Sequence, residues 1–572
     1  MKRFFNVLLL ACLMAFFHID DARGQTFEEK YSLNFRIVDN SLEWFSDTNN
    51  SKIHFCVDST DNHLPIKFSQ AEKWGFREKM NMNLHASLLL LPALPDSLLQ
   101  VKISYTCKNL KTGRLFVYSL NKQMNIVKRD SICLQNDDNF REDALVMPTK
   151  DACFLFLSLQ AAGKDSTYTK HIVGPIVQTI PHEISIQRIT LLSGGTCIND
   201  LPFEDIEASK VDKTKILALP SDALLTGEQL SRISGRITAL GETVHGSGKI
   251  GRATTDFIKS SILNNRTNLI LCEQPLLMML FFNRYVQGSN AIDDKKIEEL
   301  TKMIIGDAES IIALTKWLRE YNKTATEKVM IGGMDCQYEK NELERFLKDY
   351  LQTVNQEARS SAVDSIISVL ELRDADKIKE MAITTLHLMK DNRQELSDVL
   401  AEDVEIITFY LESLIKAEVT DKSSYHERDW RMFENVSFFM DYHCKPHQTA
   451  VISCHLGHAN YLDTLIPSEK SFGYYMKTAH GDDYVCIAQT VYQDTVKAHV
   501  KIELDKKVLP LPSSNSLEAV LRKSGIKYGY IDAKELDEIV KLRIQGSHHV
   551  PTSRIERYCN PRSQVKGILF IH

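Results

Sequence analysis

The stretch "RITALGETVHGSGKIGRATTDFIKSSILNNRTNLILCEQP", Arg236 to Pro275, decides the fold. It opens on a short apolar run that stops at Glu242. A polar Gly-rich turn follows, then a helical period from Ile250 to Leu263, then a second apolar run ending in Glu273. Apolar runs too short to be helices, joined by an amphipathic helix, read as a strand–helix–strand unit of a parallel sheet. Similar runs recur at "KVMIGGMD" (Lys328–Asp335), "TAVISCH" (Thr449–His455), "DYVCIAQT" (Asp483–Thr490) and the terminal "GILFIH". Between the third and fourth of these six runs, roughly residues 342–443 carry serial amphipathic helical patterns, which predict a helical subdomain inserted between two strands.

Upstream the texture differs. "SLNFRIVD", "KIHFCVD", "LLQVKISYTC", "GRLFVYSL" and "ACFLFLSLQ" are short alternating runs separated by Asn, Asp, Gly and Lys clusters. They predict a β-sandwich-like domain over residues 25–205, with no catalytic constellation of its own. The expected class is therefore α/β: a mainly parallel sheet with a helical insertion over residues 206–572, preceded by the β-sandwich-like domain. Exposed aromatics on that domain could meet a glycan or a protein; a purely structural or docking role is the plainer expectation.

At the start, Lys2 and Arg3 precede an apolar run to about Ile19, and small residues follow. This pattern predicts a signal peptide over residues 1–24, hence an exported protein, periplasmic or extracellular. Lipidation at Cys12 is the lesser alternative, because the apolar run continues past it. No later run has the 18 or more apolar residues of a membrane-spanning helix. The net charge of −6 in 572 residues argues against general nucleic-acid binding. The cysteines lack the paired spacing of a structural zinc site. Cys272, Cys454 and Cys486 lie in apolar runs and read as buried thiols, while export permits one or two disulfides among Cys56, Cys107, Cys133, Cys153 and Cys197.

Ligands of an open parallel sheet bind beyond the carboxyl ends of its strands. Glu242 and His245 follow the first strand, Glu273 ends the second, Asp335 the third, and His455 and His458 the fourth. Any one of these is ordinarily a helix cap or a solvated turn residue. Four strand ends delivering acids and imidazoles to one edge imply a site. A neutral imidazole takes a proton from water, and a carboxylate on its other nitrogen fixes the tautomer. A second imidazole can donate to a developing oxyanion. Ser247 lacks a GxSxG elbow and reads as a turn or helix cap. Arg428 or Arg431, on the helix that begins near His426, can pair with a site carboxylate or clamp a substrate oxygen. His245, His455, His458, Glu242 and Glu273 are also donors that zinc or manganese accept, so a metal-dependent hydrolase stays open beside a metal-free one. A non-catalytic secreted binding protein is the third class.

The blocks "LGETVHGS", "LILCEQ", "WLREYN", "IGGMDCQ", "RDWRMFENV", "CHLGHAN" and "FGYYMK" fall in an order that resembles the erythromycin esterase family over residues 215–572. The resemblance implies a hydrolase that opens an ester or lactone with water and no cofactor, though a divalent metal is not ruled out. It makes His245 the general base, with Glu242 and Glu273 orienting it or the water, and His455 assisting proton transfer. Arg428, His458, Asp335 and Trp317 become substrate-binding candidates, the substrate being a small ester or lactone. Two departures bear on substrate identity: Leu456 stands where the family usually has Asn, and Gly248, Lys249 and Ile250 replace an acidic–aromatic pair.

Overall fold

The computed structural model describes residues 44–46, 53–57, 66–70, 74–75, 81–94, 96–163, 165–171, 174–179, 182–197, 211–221, 223–304, 307–336, 342–371, 378–416, 425–462, 470–500, 503–543 and 556–572. The expected signal peptide, Cys12 and the run "SLNFRIVD" lie outside them. The chain divides into two compact units, residues 1–204 and 205–572.

The first unit is all β. One antiparallel sheet orders Trp44–Ser46, Asn81–Pro92, Phe154–Gly163, Leu110–Leu120 and Ile126–Cys133. A second orders Ile53–Val57, Ile66–Gln70, His182–Ser193, Leu98–Lys108 and Asp137–Pro148. Alternation decides which side chains face inward. Leu99, Val101, Ile103 and Tyr105 of one sheet share a buried cluster with Leu115, Val117, Leu155 and Leu157 of the other. Two sheets closing on one apolar layer is the expected sandwich. Cys107, Cys133 and Cys153 are free thiols.

The second unit is built on an eight-stranded sheet: β1 (Leu217–Ala218), β2 (Ile237–Glu242), β3 (Thr267–Pro275), β4 (Met330–Asp335), β5 (Thr449–His455), β6 (Tyr484–Val491), β7 (Tyr528–Asp532) and β8 (Gly567–Ile571). Their spatial order is β1-β7-β8-β6-β2-β5-β3-β4. The six strands from β8 to β4 run parallel. β7 and β1 are antiparallel additions at the edge, and no run singled out in the sequence marked them. The parallel strands are buried along nearly their whole length, which is why they read as continuous apolar runs.

Helix α1 (Gly248–Asn264) returns the chain from β2 to β3. Ser247 caps it, accepting from the Ile250 N–H at 3.2 Å and donating to Asp494 at 2.6 Å, so this serine is held as a helix cap. Helix α2 (Leu276–Val286) follows β3, and α3 (Ala308–Asn322) precedes β4. Between β4 and β5 the described residues are helical, ending in α4 (Tyr425–His443), so the expected insertion is present. Short α5 (Leu456–Ala459) and then α6 (Phe472–His480) follow β5. After the insertion β5 enters between β2 and β3, and β6 then pairs on β2's other side. That return places the ends of β2, β3 and β5 side by side. No helix among the described residues is long and apolar enough to cross a membrane.

Candidate active site

Gly241 and Gly246 bracket the start of the site for different reasons. A Cβ on Gly241 would stand 2.9 Å from the Leu456 side chain and 3.3 Å from Ala459, so its open space is taken by α5. The missing side chain at Gly241 thus admits the close approach of a helix. Gly246 has φ of +73°, the left-handed region that glycine adopts without strain, and it turns the chain from β2 into α1.

Side chains alternate along a strand, so Glu242 points to the face opposite that of Gly241. His455 pairs with Glu242 in register on β5 and shares its face. His245 Nδ1 stands 2.5 Å from Glu242 Oε1. A carboxylate only accepts, so Nδ1 carries the proton and Nε2 holds the lone pair. Nε2 has no hydrogen-bond partner among the described residues. Burial opposes a charge on this ring, but Glu242 beside it and Glu273 beyond outweigh burial and raise its pKa above the ordinary histidine value.

The His245 and His455 rings stand 4.6 Å apart, centroid to centroid. His455 has the opposite tautomer. Its Nδ1 accepts from the Gly457 N–H at 3.1 Å, because the ring caps the first turn of α5. The proton therefore sits on Nε2, which is buried without a hydrogen-bond partner. Burial, reinforced by the neighbouring His245, pushes the His455 pKa well below the usual range. One imidazole thus offers a lone pair and the other an N–H.

Glu273 does not touch His245 by hydrogen bond. Its Oε2 accepts from the His455 backbone N–H at 2.7 Å, and its Oε1 accepts from Arg428 at 2.8 Å. It stays ionised: burial would raise its pKa, but His458, Arg428 and His245 together drive it far below the carboxylate range. Arg428, on α4, spends Nε and Nη2 on Asp335 at 2.8 Å each in a bidentate pair. Its Nη1 donates to His458 Nε2 at 3.1 Å. His458 in turn donates from Nδ1 to Asp429, at 2.9 Å to the nearer oxygen. Asp429 also accepts from the Phe472 N–H at the start of α6, at 2.6 Å. The result is a buried chain, Asp335–Arg428–(Glu273)–His458–Asp429, tying β4, β3, α4, α5 and α6 together. Buried charges need this dense pairing, since each costs several kcal/mol to desolvate alone.

Of the eight residues expected at the site, seven converge. His245, Glu242 and His455 stand together on one face, while Glu273, Arg428, Asp335 and His458 form the network beside it. Trp317 is elsewhere: it stacks on Tyr321 at 5.3 Å, with the Lys259 ammonium of α1 5.6 Å from its ring. Asp429 was legible only as the neighbour of Arg428. Gln489, at the end of β6, gave no sequence signal.

Among the described residues no group of three or more His, Cys, Asp or Glu stands in a metal-holding arrangement. The donors' own chemistry agrees. Both oxygens of Glu273 and both ring nitrogens of His458 are spent on hydrogen bonds, and His455 presents an N–H rather than a lone pair.

The erythromycin esterase family model matches residues 267–572, more than half the chain, beginning at the first residue of β3. Solved structures align with the chain as well, three of them as follows. A Bacillus cereus protein is 17% identical with a TM-score of 0.46, covering 63% of this chain and 95% of that one. A succinoglycan biosynthesis protein is 16% identical, TM-score 0.47, with coverage of 63% and 95%. A variant of an erythromycin esterase in an open conformation is 16% identical, TM-score 0.37, with coverage of 59% and 90%. No curated protein matches the chain.

Proposed function

The chain belongs to the erythromycin esterase family, a hydrolase family, and we propose that it is an exported carboxylic ester or lactone hydrolase that activates water with His245 and needs no metal. The observation that carries this reading is the pair of adjacent imidazoles with opposite tautomers.

In the proposed reaction His245 Nε2 takes a proton from water as its oxygen attacks the ester carbonyl. Glu242 holds the ring through Nδ1–H and stabilises the imidazolium, as a carboxylate partner does for a histidine base. His455 Nε2–H donates to the oxygen that becomes negative. It is a neutral donor fixed before the reaction, so stabilising that charge costs no reorganisation. The tetrahedral adduct then expels the alkoxide, which takes the proton back from His245. Water is divided between acid and alcohol, and the enzyme returns to its starting state. Arg428, Asp335, His458 and Glu273 act as positioning residues. Through the His455 backbone N–H, Glu273 holds the donor in place, and its charge favours the imidazolium.

Export rests on the basic start and apolar run of residues 1–24. The mature N-terminus of protein recovered from outside the cytoplasm should begin near Gly24. The catalytic reading is tested by a panel of aryl, alkyl and lactone esters assayed with wild type and His245→Ala in parallel. Hydrolysis of none of them, or hydrolysis equal in both proteins, would overturn it.

A further inference from the structure

Gln489 ends the apolar run of β6 and pairs in register with Glu242, which pairs in register with His455. Residues in register on parallel strands present their side chains to the same face. His455, Glu242 and Gln489 therefore form one row across β5, β2 and β6, at a spacing of about 4.8 Å per strand. Gln489 is fully buried, at 0% exposure. Its Oε1 accepts from the Thr254 hydroxyl of α1 at 2.9 Å, which pins the amide. Its Nε2 has no hydrogen-bond partner.

Two buried donors without partners thus flank Glu242, His455 Nε2 on one side and Gln489 Nε2 on the other. A buried polar group left unpaired carries its full desolvation cost, so a fold retains one where something else repays it. A donor that is already dry and already fixed gains more from a ligand oxygen than a solvated one does.

We propose that Gln489 is a specificity-determining residue that donates from Nε2 to an oxygen on the substrate's acyl chain beside the reacting carbonyl. The site would then select acyl groups that carry a hydroxyl or a second carbonyl over plain alkyl ones. A polar site discriminates in this way because the alkyl analogue leaves its donor unpaired. The inference rests on the ester-hydrolase reading.

The test compares 4-nitrophenyl 3-hydroxybutyrate with 4-nitrophenyl butyrate. Wild type should favour the hydroxylated ester in kcat/KM by about 10-fold or more. Gln489→Met, close in volume and without a donor, should reduce that preference to within about 2-fold by losing activity on the hydroxylated ester alone. Thr254→Val is the second variant. It leaves Gln489 in place but unpins it, and should lower the preference partway while the fold, followed by circular dichroism, is kept. Hydrolysis that depends on His245 but shows the same preference in wild type and Gln489→Met overturns this inference alone. If Gln489→Met does not fold, an unchanged preference in Thr254→Val overturns it. Hydrolysis of neither ester by wild type overturns the inference together with the reading beneath it.

Discussion

The rings of His245 and His455 stand 4.6 Å apart and are held as opposite tautomers. Glu242 accepts from Nδ1–H of the first, and the Gly457 N–H donates to the Nδ1 lone pair of the second. A base and a neutral donor thus share one face, and the two can be removed separately.

His245→Ala should lower kcat by about 100-fold or more, the usual contribution of a positioned general base. The melting temperature should change little, because the ring is partly exposed and its one hydrogen bond is to Glu242. Glu242→Gln should lower kcat by about 10-fold or more while keeping the shape, since an amide oxygen holds the tautomer but stabilises the imidazolium poorly. Steady-state kinetics beside thermal melts check both. Full activity in His245→Ala would remove the base.

His455→Asn keeps a side-chain acceptor for the first turn of α5 and removes the Nε2 donor. The expected loss is about 100-fold in kcat with KM nearly constant, the signature of a group that acts on the developing charge. An effect confined to KM would make His455 a ground-state contact instead.

The pH–rate profile should have one acidic limb. His245 works only when neutral, and its pKa is raised, so the rate climbs with pH through a midpoint above the ordinary value of about 6.5. His455 is pushed well below its usual range and stays neutral across that interval, so it adds no second limb there. In Glu242→Gln the largest raising influence is gone, and the midpoint should move to lower pH. A profile that is flat from pH 5 to 8 contradicts a histidine base.

Asp335→Ala should destabilise the fold by about 3–5 kcal/mol, the cost of breaking a buried pair by removing one partner. It would leave Arg428 buried without its bidentate carboxylate. Acid adds to this in a defined direction. The folded-state pKa of Glu273 is depressed, so its stabilisation is present above the ordinary carboxylate range, about 4.3, and is lost as pH falls below it. Urea titrations of wild type and Asp335→Ala at pH 7 and pH 4 measure both effects. Both proteins should lose stability at the lower pH, because both keep Glu273.

Prolonged treatment with EDTA should leave kcat/KM unchanged, because Glu273, His455 and His458 have their lone pairs spent within the protein and His245 is left without neighbouring ligands among the described residues. A loss restored by added zinc or manganese would return the metal-dependent reading.

Much of the architecture is written locally. β3 and β5 occupy Thr267–Pro275 and Thr449–His455, the runs read as strands, because short, largely apolar runs bounded by polar turns suit strands buried on both faces of a parallel sheet. The strand-end acids and imidazoles were legible for the same reason: a charged group can follow such a run only where the chain leaves the core. β7 was harder to see, since "YGYID" is short and lies at the sheet's edge.

What the sequence by itself determined is therefore the elements and the residues at their ends. Tertiary structure alone decided their duties, because a hydrogen bond depends on which strand lies next to which. The return of β5 between β2 and β3 after the helical insertion put His455 beside Glu242 and gave Glu273 the His455 backbone N–H. The same arrangement spent His458 and Asp335 on Arg428, turned Gln489 into a neighbour of Glu242, and left Trp317 stacked on Tyr321 within α3, away from the site. No local pattern encodes these pairings: residues 242, 273, 428, 455 and 489 span most of the second unit, and only the sheet order brings them within reach.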